Sequence, residues 1–333
     1  MKVASRPRIW MIKTLDEQVA AKFTASHRFL IASHVRPDAD AAGSLLGLGL
    51  ALMRQGKSVQ MVLEDGGEKF RYLPGAEQIL RAPQGEVDMI IVVDCSDSDR
   101  VGAVLNGYGQ PDLVVDHHKT NLDFGKINMV EPAQVATAAI LFDHMPAWGL
   151  EIDADSAMCL LAGIVGDTIG FRTPNVDAEV LRRCAALIDL GGDLTHIYNE
   201  ELVMRSYEAV RYWGSGLNRL EHDNGLVYTS LTLADRQDAG YLSDDDADLV
   251  NVLSAIREAQ IAIIFVEQRD NTVKVSWRTR PGLDVSGIAY QFGGGGHAAA
   301  AGADIEGSLA EVKRRVIHET HKLLGNLTKE MGV

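Results

Sequence analysis

Cysteine is scarce in this sequence, and its placement excludes two common uses of the residue. The chain has 333 residues and three cysteines, Cys95, Cys159 and Cys184. They form no C-x-x-C pair and no paired framework, so we expect neither a disulfide-stapled fold nor a thiolate zinc site. Unpaired thiols suit a reducing compartment, and the sequence therefore predicts a cytoplasmic protein.

Long apolar runs are also missing. The longest near the start of the chain, Leu45–Met53, is far shorter than the ~20 residues that a bilayer span requires. Residues 1–18 contain no continuous apolar stretch of the kind that export signals carry. We therefore expect a soluble protein without a membrane partner.

Basic charge is in deficit. Lysine and arginine number 32 against 46 aspartate and glutamate residues, which leaves a formal net charge of −14. A chain of this charge repels a long polyanion unless its cations gather locally. Binding of long duplex nucleic acid is therefore not expected.

The pattern that is present predicts two α/β domains. Short apolar runs alternate with helical stretches from residue 28 to about residue 190, which indicates a parallel sheet covered on both faces. The predicted strands of this part are 29–35, 59–63, 89–94 and 113–118, and the predicted helices are 44–54, 133–142, 156–165 and 178–190. We place a catalytic domain at 1–190, a helical connector at 191–222 and a smaller α/β domain at 223–333.

The second domain has its own strand pattern. Its predicted strands are 226–233, 261–268 and 272–279, the last two joined by a hairpin turn at 269–271, and its predicted helices are 247–258 and 309–324. Along 272–280, Val273, Val275 and Trp277 alternate with Lys274, Ser276, Arg278 and Arg280. One face of this strand is therefore predicted to be core and the other basic.

Carboxylate and imidazole side chains follow the ends of the predicted strands in the first domain. These residues are His34, Asp38 and Asp40 after the first run, Asp94 at the end of the third, Asp116, His117 and His118 at the end of the fourth, and Asp167 after a helix. Asp38-x-Asp40 alone would be read as a helix N-cap. Because the carboxyl ends of parallel strands share one sheet edge, the repetition instead favours a binding site.

The charges of this cluster predict bound metal. Four carboxylates, Asp38, Asp40, Asp94 and Asp167, would raise one another's pKa unless cations neutralised them, and two divalent ions would balance their charge. A ligand set that mixes imidazole nitrogen and carboxylate oxygen favours Mn²⁺, with Fe²⁺, Co²⁺ or Zn²⁺ as alternatives. Two ions about 3.5–4 Å apart are suited to displacement at phosphorus, so the cluster predicts a phosphoesterase.

The motifs resemble a known family. HVRPDADAAGS (34–44), VVDCSDS (92–98), VVDHH (114–118) and GIVGDT (163–168) are similar to the four ordered motifs of the DHH phosphoesterase superfamily. FGGGGHAAAAG (292–302) resembles the glycine-rich motif of the DHH-associated domain. The pairing at this chain length resembles the nanoRNase and pAp-phosphatase subfamily, although Ile169 and Ala298-Ala299 depart from the family pattern.

The resemblance implies a role for each matched residue. One ion would be held by His34, Asp38 and Asp94, and the other by Asp40, Asp94, His117 and Asp167. Asp116 would orient an imidazole, and His118 would face the scissile phosphate as an acid. The implied substrate ligands are Arg278, Arg280, Gly294, Gly295, Gly296 and His297.

The function expected from these roles is hydrolysis of short oligoribonucleotides, such as linear dinucleotides, to 5′-mononucleotides, with pAp as a second substrate. A compact basic patch on an acidic protein suits a substrate of a few nucleotides. Three alternatives stay open: a cyclic dinucleotide phosphodiesterase, an inorganic pyrophosphatase-like enzyme and a catalytically silent nucleotide sensor. A homodimer is also left open.

Overall fold

The computed structural model describes residues 8–280 and 282–330. The chain divides into two compact units between Met204 and Arg205, inside the segment that was predicted as a connector. That segment holds helices and, from Glu221, the start of a short strand. Each unit is built on its own sheet, as the sequence predicted.

The sheet of the first unit has five parallel strands in the order β2-β1-β3-β4-β5. The strands are β1 (Arg28–Ala32), β2 (Ser58–Val62), β3 (Met89–Val93), β4 (Leu113–Asp116) and β5 (Ile127–Val130). The first four were predicted. β5 was missed because it is four residues long, contains Asn128 and is only alternately buried.

The described part of this unit, residues 8–204, contains six α-helices. They are α1 (Arg8–Ala25), α2 (Ala39–Arg54), α3 (Thr137–His144), α4 (Ala154–Asp167), α5 (Ala178–Asp189) and α6 (Leu194–Tyr198), with a π-helical turn at Asn199–Val203. Short 3₁₀ turns lie at Glu68–Phe70, Ala76–Gln78, Asp99–Leu105 and Met145–Trp148.

Two predicted helix limits were wrong in ways that concern the site. α2 begins at Ala39 and not at residue 44, because the Asp38 carboxylate accepts hydrogen bonds from the N–H groups of Asp40 and Ala41, both at 3.0 Å. α4 continues to Asp167, two residues beyond its predicted end. Asp40 therefore lies in the first turn of one helix and Asp167 in the last turn of another.

Close packing of α2 on α4 fixes the distance between these two carboxylates. A Cβ atom added to Gly43 would lie 2.3 Å from the Cys159 carbonyl oxygen, and one added to Gly163 would lie 2.7 Å from Asp40 Oδ1. Glycine at both positions lets the two helix backbones approach to a separation that no larger residue permits.

The second unit has a six-stranded sheet in the order β10-β11-β9-β8-β7-β6, in which only β7 and β8 are parallel among the described pairs. The strands are β6 (Glu221–Asp223), β7 (Leu226–Leu231), β8 (Ile261–Glu267), β9 (Thr272–Thr279), β10 (Gly295–His297) and β11 (Ala300–Glu306). The hairpin of β8 and β9 was predicted, whereas β6, β10 and β11 were not.

Helices cover both faces of this second sheet. They are α7 (Tyr207–Leu217), α8 (Leu233–Ala239), α9 (Leu249–Ser254), α10 (Ser286–Gln291) and α11 (Leu309–Glu330). α10 and α11 share one apolar core with Trp277, and α7, α8 and α9 share the other with Ile264. Among the described residues no helix combines the length and apolar content that crossing a bilayer requires.

Candidate metal centre and substrate surface

Adjacent strands of the first sheet bring predicted metal ligands to one edge. His34 follows β1, Asp94 follows β3 and His117 follows β4, and β3 lies between the other two strands. All three side chains are buried, at 4%, 1% and 8% exposure. The carboxyl edge of the sheet therefore carries a desolvated cluster, where the sequence predicted one.

The first set of ligand atoms comes from His34, Asp38 and Asp94. His34 Nε2 lies 3.5 Å from Asp94 Oδ2 and 4.0 Å from Asp38 Oδ2. His34 Nδ1 lies 2.9 Å from the Val35 carbonyl oxygen, so it carries the proton and donates. Nε2 is then the nitrogen that faces the two carboxylates and that would bind a metal ion.

The second set is centred on His117. Its Nε2 lies 3.5 Å from Asp167 Oδ2, 3.6 Å from Asp94 Oδ1 and 4.0 Å from Asp40 Oδ2. Its Nδ1 lies 3.4 Å from the Gln134 carbonyl oxygen. The two oxygens of Asp94 thus face different histidines, which is the arrangement of a shared ligand.

These separations fit metal ions better than direct hydrogen bonds. Two ligands that each lie about 2.1 Å from one ion are roughly 3 to 3.5 Å apart, whereas a good hydrogen bond joins atoms within ~3.2 Å. Within each of three groups of potential ligands, one atom per residue lies within 4.8 Å of the others: His34 with Asp38 and Asp94, Asp40 with His117 and Asp167, and Asp94 with His117 and His118.

The electrostatics of the cluster show a shortage of positive charge. Burial and the Asp94 charge raise the pKa of Asp40 to about 7, and burial with the Asp40 charge raises the pKa of Asp167 well above its ordinary value. Burial acts to lower the pKa of His34, but Asp94 and Asp38 outweigh it and raise that pKa to about 9. Divalent cations would remove this cost.

Asp116 and His118 form a dyad beside the ligands. The Asp116 carboxylate is fully buried, and its Oδ1 lies 2.6 Å from His118 Nδ1. Burial alone would lower the pKa of His118, but this hydrogen bond and the Asp94 charge raise it. The second oxygen of Asp116 accepts a 2.6 Å hydrogen bond from Asn121 Nδ2, so both oxygens are held in place.

Sequence reasoning missed the residues that support the ligands. The N–H groups of Thr137 and Ala138 donate to Asp40 at 2.6 and 2.9 Å, and Thr137 Oγ1 donates to Asp94 Oδ1 at 3.1 Å. Ser44 Oγ adds a 3.2 Å hydrogen bond to Asp40. Thr137 was hidden because the predicted helix began at residue 133, which placed it in a helix interior instead of at the first turn.

A left-handed turn follows Asp167. Ile169, Gly170 and Phe171 have φ angles of 50°, 65° and 67°. Such a conformation is strained for a β-branched residue, at about 1–3 kcal/mol. The Ile169 backbone therefore has an energetic cost, and Thr168 Oγ1 helps to hold the turn by accepting a 3.1 Å hydrogen bond from the Phe171 N–H.

The basic strand of the second unit has the two faces that were predicted. Val273, Val275 and Trp277 are completely buried, whereas Lys274, Ser276 and Arg278 are only half-buried. Burial lowers the pKa of the Arg278 guanidinium. Arg280, exposed beyond the end of β9, donates through Nη2 to the carbonyl oxygens of Ile256, at 3.4 Å, and Arg257.

The glycine-rich motif forms an edge hairpin. A Cβ atom added to Gly294 would lie 2.1 Å from the Gly302 carbonyl oxygen, and one added to Gly296 would lie 2.5 Å from the Ala300 carbonyl oxygen. Gly295, in contrast, has open space around it. Two of the glycines thus serve close backbone approach, and Gly295 leaves a bare, exposed backbone. Ala300 pairs with both His297 and Arg278, so these two positions share a cross-strand row; the His297 side chain lies outside the described residues.

Comparison with known proteins gives two matches to family models. The model for the N-terminal domain of the DHH family matches residues 28–164, and the DHHA1 domain model matches residues 224–326. The first match contains every predicted ligand except Asp167, and the second contains the basic strand and the glycine-rich hairpin.

Two relatives carry the same printed description. The chain is 34% identical over 328 residues, 96% of its length and 97% of the relative's, to the bifunctional oligoribonuclease and PAP phosphatase NrnA of Thermus thermophilus. It is 24% identical to the NrnA of Bacillus subtilis, over 82% of this chain and 87% of that one. A crystal structure of an exopolyphosphatase-related protein from Bacteroides fragilis has the same fold, with a TM-score of 0.84, 24% identity and coverage of 94% and 98%.

Proposed function

Since the chain belongs to the DHH family, we propose that it hydrolyses phosphoester bonds in short oligoribonucleotides to give 5′-mononucleotides, and that it also removes the 3′-phosphate of pAp. The observation that carries the proposal is the placement of Asp94, with one oxygen 3.5 Å from His34 Nε2 and the other 3.6 Å from His117 Nε2. A carboxylate that faces two ligand sets suits a pair of closely spaced metal ions, which is the kind of site that catalyses displacement at phosphorus. The printed function of the relatives supports the choice of substrate.

Two divalent cations, by preference Mn²⁺, would be held by this cluster. One set of ligands is His34, Asp38 and Asp94, and the other is Asp40, Asp94, His117 and Asp167. Mixed nitrogen and oxygen donors support Mn²⁺ over Mg²⁺. When bound, such ions polarise phosphoryl oxygens and lower the pKa of water.

The Asp116–His118 dyad would handle the proton. Asp116 Oδ1 accepts a hydrogen bond from the Nδ1–H of His118. The proton on the opposite ring nitrogen, Nε2, would therefore be the one that passes to the leaving 3′-oxygen. The oxygen of a water molecule adds to phosphorus as the water gives up one proton, the bond from phosphorus to the 3′-oxygen breaks, and the His118 proton completes the 3′-hydroxyl. The proton that the water gives up balances the one that His118 loses. The phosphate stays on the 5′-oxygen of the next nucleotide, which gives a 5′-mononucleotide.

The second unit would grip the substrate. Arg278 and Arg280 would bind phosphate oxygens through their planar donor groups, and the open backbone at Gly295 would approach the same anion. We assign the same function to Gly294, Gly296 and His297 on the strength of the glycine-rich motif. Two or three phosphates suffice for such a patch, so short substrates are preferred.

We also propose a cytoplasmic location, which is supported by three buried cysteines that are free thiols. A homodimer stays the open alternative to a monomer, and light scattering of the purified chain would distinguish the two.

Product analysis tests the function. RNAs of two to five nucleotides with a 5′ label, pAp, cyclic dinucleotides and pyrophosphate are each incubated with the full chain, with and without Mn²⁺. We expect Mn²⁺-dependent release of mononucleotides from the linear RNAs and of AMP from pAp. Turnover of pyrophosphate alone, or of cyclic dinucleotides alone, would replace the proposal with one of those activities, and saturable binding without products would indicate a sensor.

A further inference from the structure

Arg278 is held by a neutral partner from another element. Its Nε donates to Asn251 Oδ1 at 3.1 Å, and its Nη1 donates to the Trp277 carbonyl oxygen at 3.0 Å. Within residues 8–280 and 282–330, Nη2 has no hydrogen-bond partner. One edge of the guanidinium is therefore fixed by protein, while the rest of its donor capacity stays available.

The carboxylates near Arg278 are occupied elsewhere. Asp246 accepts a 2.8 Å hydrogen bond from the Val250 N–H, and Asp248 pairs with Arg205 at 3.0 Å. Their charges act on the pKa of Arg278 from a distance and oppose the larger effect of burial, which lowers it. Among the described residues no carboxylate forms an ion pair with this guanidinium, so it keeps its charge for an external anion.

Asn251 is itself firmly placed. It lies on α9, whose Leu249, Val250 and Leu253 are buried in the core between this helix and the sheet. Ser254 Oγ donates to the Asn251 carbonyl oxygen at 2.8 Å. The Asn251 amide fixes the direction of the arginine side chain and leaves its positive charge uncompensated. An aspartate at this position would neutralise that charge.

We infer that Asn251 is a positioning residue, which presents the Arg278 guanidinium to a phosphate of the oligonucleotide. The identity of the ligand rests on the proposed function, whereas the contact of Asn251 with Arg278 is observed in the structure. Binding gains from such pre-organisation because the arginine loses little rotamer freedom when the phosphate arrives. Asn251 acts only through Arg278, and this makes the inference testable by a double-mutant cycle.

The cycle uses Asn251→Ala, Arg278→Ala and the double variant, with a linear dinucleotide as substrate. We expect Asn251→Ala to raise KM about tenfold and leave kcat within about twofold, because a grip on phosphate is common to ground and transition states. The double variant should match Arg278→Ala. Full additivity of the two effects, or an unchanged KM in Asn251→Ala, would overturn the inference.

Val252→Ala is the matched control, since it shortens an exposed side chain of the same helix. Its KM should equal that of the parent, and melting temperatures of all variants exclude unfolding as the cause.

A second readout does not depend on turnover. In ¹⁵N spectra of the arginine Nε–H groups, the Arg278 signal, assigned by its loss in Arg278→Lys, should shift and exchange faster in Asn251→Ala but not in Val252→Ala. An unchanged signal would refute the positioning role. If the parent chain fails to cleave any RNA, the proposed function fails while this measurement still decides the role of Asn251.

Discussion

At the scale of single residues, Asp94 stands out in both backbone and side chain. Its φ of 53° is left-handed, a conformation that aspartate tolerates better than most residues. Burial acts to raise its pKa, but the neighbouring imidazoles of His34 and His117 lower that pKa below its ordinary value. The carboxylate is therefore kept ionised at the point where both ligand sets need it.

Replacing Asp94 with alanine should abolish turnover of both dinucleotide and pAp, because it removes a ligand from each set. Calorimetric titration with Mn²⁺ should show both binding events weakened. Asp99→Ala, which removes an exposed carboxylate from the same loop, should behave as the parent. Retained activity in Asp94→Ala would exclude a bridging role.

Arg280 offers a test of the substrate grip. Arg280→Ala should raise KM for dinucleotides about fivefold to tenfold with kcat nearly constant, because a charged hydrogen bond to phosphate is lost. Arg269→Ala, in the exposed turn between β8 and β9, is the matched control. If Arg280 served only the Ile256 and Arg257 carbonyl groups, the melting temperature would fall while KM stayed constant.

At the scale of elements, the contact of α2 with α4 sets the geometry of the candidate metal site. Asp40 is in the first turn of α2, Asp167 is in the last turn of α4, and Gly43 lies against the α4 backbone. A change in the separation of these helices therefore changes the separation of two ligands.

We expect Gly43→Ala to destabilise the fold by about 1–3 kcal/mol, since its Cβ would lie 2.3 Å from the Cys159 carbonyl oxygen and the helices must move apart. Mn²⁺ affinity, measured by titration calorimetry, should fall as well. Gly214→Ala in α7 has open space around the new methyl group, so urea unfolding should show it to be neutral or stabilising. Equal effects of the two changes would argue against the packing explanation.

A second element contact joins α1 to α3. His144 Nδ1 lies 2.8 Å from Asp16 Oδ1 and its Nε2 lies 3.0 Å from Glu131 Oε1, while Trp148 Nε1 also donates to Asp16 at 2.8 Å. Burial acts to lower the pKa of His144, but the hydrogen bonds of the two carboxylates outweigh it and raise that pKa above 6.5. The imidazolium is thus favoured in the folded chain.

This contact predicts a pH-dependent loss of stability. Because the folded pKa of His144 is raised, its contribution is complete below pH 6.5 and is lost as the pH rises through the folded pKa. His144→Gln should therefore cost about 1–3 kcal/mol at pH 6 and less at pH 9, measured by urea unfolding at both values. A difference from the parent that stays constant with pH would show that charge plays no part.

At the scale of the whole molecule, a net charge of −14 and a crowded acidic cluster make stability depend on cations. A ligand that binds only the folded state stabilises it by mass action, by about 2.7 kcal/mol at one hundred times its dissociation constant. Mn²⁺ should accordingly raise the melting temperature and a chelator should lower it. The shift should largely disappear in Asp94→Ala; a shift of the same size in that variant would place the stabilising cations elsewhere.

The fold class and the ligand types could be predicted from the sequence because their signals are local. Apolar runs that end in Asp94 or in Asp116-His117-His118 predict that these carboxylate and imidazole side chains lie at strand ends. Because parallel strands share one carboxyl edge, the side chains are then expected to lie together. The strand 272–279 was predicted with its observed bounds, since an alternation of two faces depends only on neighbouring residues. Short elements such as β5 and β10 carry too few residues for any period to show.

The sequence by itself determined which side chains are candidate metal ligands and which strand is basic, because residue type and spacing carry that information. Only the tertiary structure decided what holds them: Thr137 reaches Asp40 from 97 residues away, Asn251 reaches Arg278 from 27, and His144 reaches Asp16 from 128. These partners are common polar residues without a motif of their own. Their function arises from hydrogen bonds between distant segments, which exist only when packing has brought the segments together.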